Sequence, residues 1–235
     1  PGTLYAVGVG PGDPDLITLR AARIQVAVDV VFTAASPKND HSHALEIARA
    51  HLAPDTAVER LEFPMTRDRE VLTTAWETAA TRVHSVLASG RDAAFLTLGD
   101  PMTYSTFGYL LRTLLRLAPA ARIEAVPGVT SYQAAAAATL SPLCEGEENL
   151  TIVSGIADEE RLMTTLAGAD NAVVLKAYRN LPAIRRAQAR LDLSARVTAV
   201  SHLGMADEAR WTGLDAVPEK LPYFSLMLLL KGRGE

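Results

Sequence analysis

A chain of 235 residues that is 49% hydrophobic has room for one large or two ordinary domains with real cores, which excludes a disordered polymer. With 23 Lys and Arg against 27 Asp and Glu, the net charge is −4 and no basic block stands out, which argues against a nucleic-acid binder. The single cysteine, Cys144, excludes an intrachain disulfide and a Cys-only zinc site and reads as a small buried or loop residue. No apolar run reaches membrane-span length and no signal-like leader opens the sequence, so the expected location is cytoplasmic.

Leu4 to Val9 reads as a short apolar strand running into the turn Gly8-Val9-Gly10-Pro11-Gly12-Asp13-Pro14. Asp15 to Ile24 then reads as a helix with Leu16, Leu19 and Ile24 on its apolar face. Strand, glycine-rich turn and helix suggest a nucleotide-binding α/β protein. The dinucleotide fingerprint G-x-G-x-x-G is absent, however, and two prolines remove amides that a pyrophosphate needs. Val28 to Phe32 is a second strand, running out through Thr33 to Lys38, and Ser42 to Leu52 a helix. His41, His43 and His51 lack the i, i+4 spacing of a helical metal site, so no metal is expected. Leu61 to Asp68 reads as a loop, and Glu70 to Ser89 as an amphipathic helix through Val71, Trp76, Ala79, Ala80, Val83 and Leu87, capped by Gly90.

The most informative stretch follows. Ala93 to Leu98 is an apolar run broken at Gly99-Asp100-Pro101, then come the hydroxyl-rich Thr103-Tyr104-Ser105-Thr106 and a helix from Tyr109 toward Ala118. In an open α/β sheet, ligands bind outside the carboxyl ends of strands. Gly99 admits a close approach to the backbone, Asp100 supplies a carboxylate and Pro101 stiffens the turn. Arg122 to Val126 is a further strand, halted at Pro127-Gly128. Thr130 or Ser131 is then a natural N-cap for an alanine-rich helix to Ala138.

The second half alternates in the same way. Strands are expected over Asn149–Val153, Ala172–Ala177, Arg196–Val200 and Tyr223–Leu230, with helices over Glu159–Ala167 and Leu181–Arg190. Ala209 to Leu214 reads as an extended stretch that pairs antiparallel. The count gives an α/β fold of two domains, 1–127 with the glycine-rich and Gly-Asp-Pro loops, and 128–235 with a mixed sheet.

Three stretches, GVGPGDPDLITLRAARI, TLGDPMTYST and AVPGVTSYQAAAA, together resemble the tetrapyrrole (corrin/porphyrin) methyltransferases. FPMTRD at Phe63 to Asp68, SPLCEGEENLTIVSG at Ser141 to Gly155, LKAYRNLPAI at Leu175 to Ile184 and PYFSL at Pro222 to Leu226 are similar to the branch that methylates C20 of precorrin-2 in cobalamin synthesis. The resemblance spans essentially the whole chain. It implies the class III fold of S-adenosylmethionine-dependent methyltransferases, with two α/β domains, an active-site cleft between them, and a homodimer. It implies S-adenosyl-L-methionine as cofactor, S-adenosyl-L-homocysteine as product and a small tetrapyrrole as substrate, with no nucleic acid and no membrane. Carried onto this sequence, the cofactor-binding positions are Pro11, Gly99, Asp100, Pro101, Tyr104, Thr130, Ser131, Ala177 and Gly204. Ala177 departs from relatives that place a methionine there.

The sulfonium cofactor is already activated, so the enzyme's task is alignment. The nucleophile is a meso carbon of the reduced tetrapyrrole, and the group that removes its proton is sought in Tyr104 or Asp13, with water as a further acceptor. The substrate's carboxylated rim calls for arginines, and Arg67 and Arg179 are the candidates. Three other readings stand beside this one: a methyltransferase for another corrin position or for diphthamide precursors, a nucleotide-dependent oxidoreductase, and a non-catalytic binding module. The prolines in the first turn, and Phe32-Thr33 where an acidic residue is needed, count against the oxidoreductase.

Overall fold

The computed structural model describes residues 1–35, 42–156, 158–179, 181–191 and 196–231, so Ser36 to Lys38 and His41 lie outside the described residues. The chain divides into two compact units, Pro1–Thr130 and Ser131–Glu235.

The first unit is a five-stranded parallel sheet in the order β3-β2-β4-β1-β5. Its strands are β1 (Thr3–Gly8), β2 (Val30–Ala35), β3 (Ala57–Glu62), β4 (Ala93–Thr97) and β5 (Arg122–Val126). Alternate residues of each strand face opposite ways. Leu4, Ala6, Val30, Phe32, Ala93 and Phe95 face α3 (Arg69–Ala88) and α4 (Phe107–Leu117), while Val7, Val31, Ala94 and Leu96 face α1 (Leu19–Ala27) and α2 (His43–Ala48). Such two-sided burial is why β4 reads as an unbroken apolar run. From adjacent strands the chain leaves in opposite directions, β1 through α1 toward β2 and β4 through α4 toward β5, on opposite faces of the sheet.

Two readings of the first unit need correction. The first helix begins at Leu19, because Asp13 captures the Asp15 amide (2.9 Å) and closes a separate 3-10 turn, Pro14–Leu16. Thr18 then caps α1 by accepting from the Ala21 amide at 3.2 Å. Leu19 is consequently 76% exposed, and Ala21 and Gln25 are the buried positions of α1. The second correction is β3, whose amino half lay outside every expected element and whose last residues fell in the expected loop. Its sequence AVERLE is charged, and only Leu61 is buried, because β3 is an edge strand held by parallel pairing to β2 from Val30↔Ala57 to Ala35↔Glu62.

The second unit has a mixed sheet in the order β6-β7-β10-β8-β9. Its strands are β6 (Leu150–Ser154), β7 (Asn171–Leu175), β8 (Arg196–Ser201), β9 (Ala209–Thr212) and β10 (Ser225–Leu230). β6 and β7 are parallel, while β10 runs antiparallel to both β7 and β8. β9 pairs antiparallel to β8, as the extended stretch suggested. Val174, Ala199, Met227 and Leu229 pack against Leu162 and Leu166 of α6 (Glu159–Leu166) and Ile184 of α7 (Leu181–Leu191). Helix α5 (Ser131–Ala138) lies against β10.

Phe95 stands at the centre of the first core, fully buried, with ring centroids 5.9 Å from Phe63 and 5.8 Å from Phe107. Phe95→Ala is expected to cost about 3–5 kcal/mol in urea denaturation. A loss below about 1 kcal/mol contradicts this packing.

Candidate active site

Three loops leave the carboxyl ends of the neighbouring strands β4, β1 and β5 and meet backbone to backbone. A Cβ added to Gly8 would lie 2.5 Å from the Gly99 carbonyl oxygen and 2.7 Å from the Gly128 Cα. One added to Gly128 would lie 2.1 Å from the same oxygen and 2.8 Å from the Gly8 Cα. No side chain fits at either place. Gly10 and Gly99 form an antiparallel bridge, with Gly99 donating to the Gly10 carbonyl at 2.7 Å and Gly10 to the Gly99 carbonyl at 3.4 Å.

Gly99 differs from the other two. Its φ is +65°, and an added Cβ would meet nothing nearer than 3.9 Å, at Thr130 Cα and the Val129 carbonyl oxygen. Glycine is needed there for backbone hand rather than for crowding, since an added Cβ would make only ordinary van der Waals contacts. Tyr104 also adopts a left-handed backbone, φ +51°, and is 59% exposed. Two residues before Gly99, the buried Thr97 hydroxyl has no hydrogen-bond partner.

Asp100 acts on the protein itself. Its Oδ1 accepts from the Met102 amide (2.8 Å) and its Oδ2 from the Gly128 amide (3.1 Å), so one carboxylate ties the loop after β4 to the turn after β5. Asp13 likewise spends Oδ1 on the Asp15 amide. Pro11 and Pro101 are buried, and Thr130, 9% exposed, immediately precedes Ser131 at the start of α5. Arg67 is exposed and makes no ion pair among the described residues.

In the second unit the carboxyl ends of β6, β7 and β8 carry their own left-handed residues: Gly155 (φ +59°), Lys176 (+56°), His202 (+48°) and Gly204 (+74°). The sequence marks only the glycines, since nothing about a lysine or a histidine announces positive φ. Ala177 is wholly buried in the core beside this edge, so its methyl group has no surface to offer a ligand. Arg179 is exposed. Its Nε donates to the Tyr178 hydroxyl at 2.8 Å and its guanidinium lies 5.5 Å from that ring. Gly204 is exposed, and its amide donates to Glu208 Oε2 at 2.7 Å. Burial pushes the Glu208 carboxyl up, but the Gly204 amide and the Arg210 guanidinium outweigh it and hold the group below the usual carboxylate range.

Among the described residues no group of His, Cys, Asp and Glu could hold a metal ion, and no helix is long and apolar enough to cross a membrane. His43 instead lies 3.5 Å from Glu46, and Cys144 is an exposed loop residue.

Converging glycine loops at the carboxyl edge of a parallel sheet, followed by a mixed second sheet, define a class of ligand-binding α/β enzyme. The comparisons with known proteins name it. Residues 3–216 match the Tetrapyrrole (Corrin/Porphyrin) Methylases, and this chain belongs to that family of S-adenosylmethionine-dependent methyltransferases. It is 35% identical over 232 residues to the cobalt-precorrin-2 C(20)-methyltransferase of Salmonella typhimurium, covering 98% of this chain and 97% of the relative. It is 32% identical over 241 residues to a precorrin-2 C(20)-methyltransferase from Sinorhizobium, covering 97% and 95%. Among solved structures it is similar to uroporphyrin-III C-methyltransferase from Thermus thermophilus complexed with S-adenosyl homocysteine, at 26% identity and a TM-score of 0.67 over 97% of each chain.

The residues present fit that cofactor: an uncrowded, left-handed Gly99, an unpartnered hydroxyl at Thr97, and the hydroxyls of Thr130 and Ser131 just after Gly128. Asp100→Asn tests the carboxylate tie. An amide has one acceptor oxygen, so either Met102 or Gly128 loses its partner. A loss of about 1–3 kcal/mol is expected, with faster hydrogen exchange at those two amides and weaker S-adenosylhomocysteine binding. Unchanged exchange at both amides contradicts the tie.

Proposed function

We propose that this chain transfers the methyl group of S-adenosylmethionine to C20 of precorrin-2 or its cobalt form in cobalamin biosynthesis, and that it works as a homodimer in the cytoplasm. The end-to-end similarity to the Salmonella enzyme carries the reading. Cofactor binding falls to Pro11, Gly99, Asp100, Pro101, Tyr104, Thr130, Ser131, Ala177 and Gly204. Gly99, half-buried, and Gly204, exposed, serve through left-handed backbone, Thr130 and Ser131 through hydroxyls, and Asp100 through the loop it holds together, while Ala177, wholly buried, serves by packing beneath the site.

When bound, the cofactor supplies a methyl group already activated on sulfur, so no protein nucleophile is needed. What remains for the protein is to hold the reacting carbon in line and to accept the proton it loses. A neutral phenol donates more readily than it accepts, which favours Asp13 over Tyr104 as acceptor. Asp13 keeps Oδ2 for that purpose while Oδ1 is anchored. Arg67 and Arg179 meet the carboxylates of the substrate rim. Arg179 is the better prepared, because Tyr178 fixes its guanidinium plane before any substrate arrives.

The test is incubation with labelled S-adenosylmethionine and freshly made precorrin-2, with and without inserted cobalt, followed by carbon NMR. One methyl at C20 is expected; a methyl at another carbon overturns the C20 assignment while leaving the family intact. In the same assay Arg67→Ala and Arg179→Ala are each expected to raise the KM for tetrapyrrole roughly tenfold, the scale of one charge-assisted hydrogen bond. Their S-adenosylhomocysteine affinity should stay that of the unsubstituted protein. Equal loss of both counts against a role at the rim.

A further inference from the structure

The turn between β8 and β9 is closed largely by its own backbone. The Met205 amide donates to the His202 carbonyl (2.9 Å), the Glu208 amide to the Met205 carbonyl (3.1 Å), and the His202 amide to the Phe224 carbonyl (2.8 Å). Asp207 adds a 3.0 Å contact to His202 Nδ1. A different set of bonds leads out of the turn. Glu208 Oε2 accepts from the Gly204 amide, Glu208 Oε1 accepts from Arg210 Nε at 2.5 Å, and Arg210 Nη1 donates to the carbonyl of Ala138. Ala138 is the last residue of α5, the helix that begins with Ser131. One charged couple thus runs from the amide of an exposed left-handed glycine to the carbonyl end of a helix. The arginine's charge suits that end of the helix dipole.

We propose that Glu208 and Arg210 are positioning residues for the cofactor, holding the Gly204 turn and helix α5 in fixed register. This rests on the reading above that Gly204 and Ser131 contact S-adenosylmethionine. An isolated exposed ion pair adds little to stability. Here each partner also holds a backbone group belonging to a different element, so the couple governs where those elements sit more than whether the chain folds. Gly204 is exposed, so water replaces Glu208 as acceptor at small cost when the carboxylate is removed. The turn keeps its internal bonds and loses its register to α5. Asp207 faces His202 rather than Gly204 and leaves this path untouched.

The experiment compares the full chain with Glu208→Ala, Glu208→Gln and Arg210→Ala, measuring S-adenosylhomocysteine affinity by calorimetry, thermal melting, and KM and kcat for each substrate. Glu208→Ala and Arg210→Ala are expected to weaken S-adenosylhomocysteine binding about tenfold and to raise the KM for S-adenosylmethionine in step. Melting temperature, kcat and the KM for tetrapyrrole should move little. Glu208→Gln retains an acceptor oxygen for the Gly204 amide and should recover part of the affinity. Unchanged affinity in Glu208→Ala, or a parallel fall in melting temperature and both KM values, overturns the positioning role while the cofactor reading stands. If Glu208→Ala does not fold, Glu208→Gln and Arg210→Ala decide the matter by the same criteria. An unsubstituted protein that binds no S-adenosylhomocysteine overturns the cofactor reading and this proposal with it.

Discussion

Gly8, Gly99 and Gly128 belong to three loops far apart in sequence, yet the backbone of each fills the place where a side chain of another would stand. This mutual exclusion sets the geometry of the carboxyl edge of the first sheet. Because Gly8 ends β1 with no Cβ, the loop after β4 can close over it and form the Gly10–Gly99 bridge. With that loop in place, Asp100 reaches the Gly128 amide, and the turn after β5 is delivered to the same spot. The parallel sheet beneath, with Phe95 and its neighbours buried on one face and Val31, Ala94 and Leu96 on the other, fixes the strand ends on which the closure depends.

A charged residue in such a loop need not touch the ligand to matter. The Asp100 carboxylate satisfies two amides of the loops themselves, and Asp13 caps the turn that ends the first glycine-rich segment. In the second unit Glu208 does comparable work for the Gly204 amide, with Arg210 extending the reach to α5. Backbone amides would otherwise face solvent in several orientations. Anchoring them with carboxylates reduces the ordering required when a ligand arrives. A methyl transfer that relies on alignment gains most from such preorganisation.

The alternating apolar runs, the glycine-proline breaks and the cap residues were sufficient to read the α/β fold and the strands from β4 onward to within a residue or two, while the family was legible only through the resemblance of whole motifs. Those features are local, and local physics produces them: a run buried on both sides, a cap, a residue that tolerates positive φ. The charged strand β3 was not readable in this way, because its pairing with β2 overrides its own composition. Nor was the late start of α1, where Asp13 and Thr18 competed as caps and both won, on two separate turns.

By itself, then, the sequence determined the apolar strands, most of the helices and which loops hold the glycines, since backbone freedom and apolar patterning are properties of the residues in order. Only the tertiary structure decided why those glycines are there. Gly8 and Gly128 answer to crowding by backbone atoms of other loops, distant in the chain, while Gly99 answers to backbone hand alone. It also decided that Asp100 is a tie between loops, that Ala177 has no exposed surface, and that Glu208 and Arg210 join a turn to a helix some 70 residues earlier. Each is a distance between segments that sequence leaves independent until the sheets form.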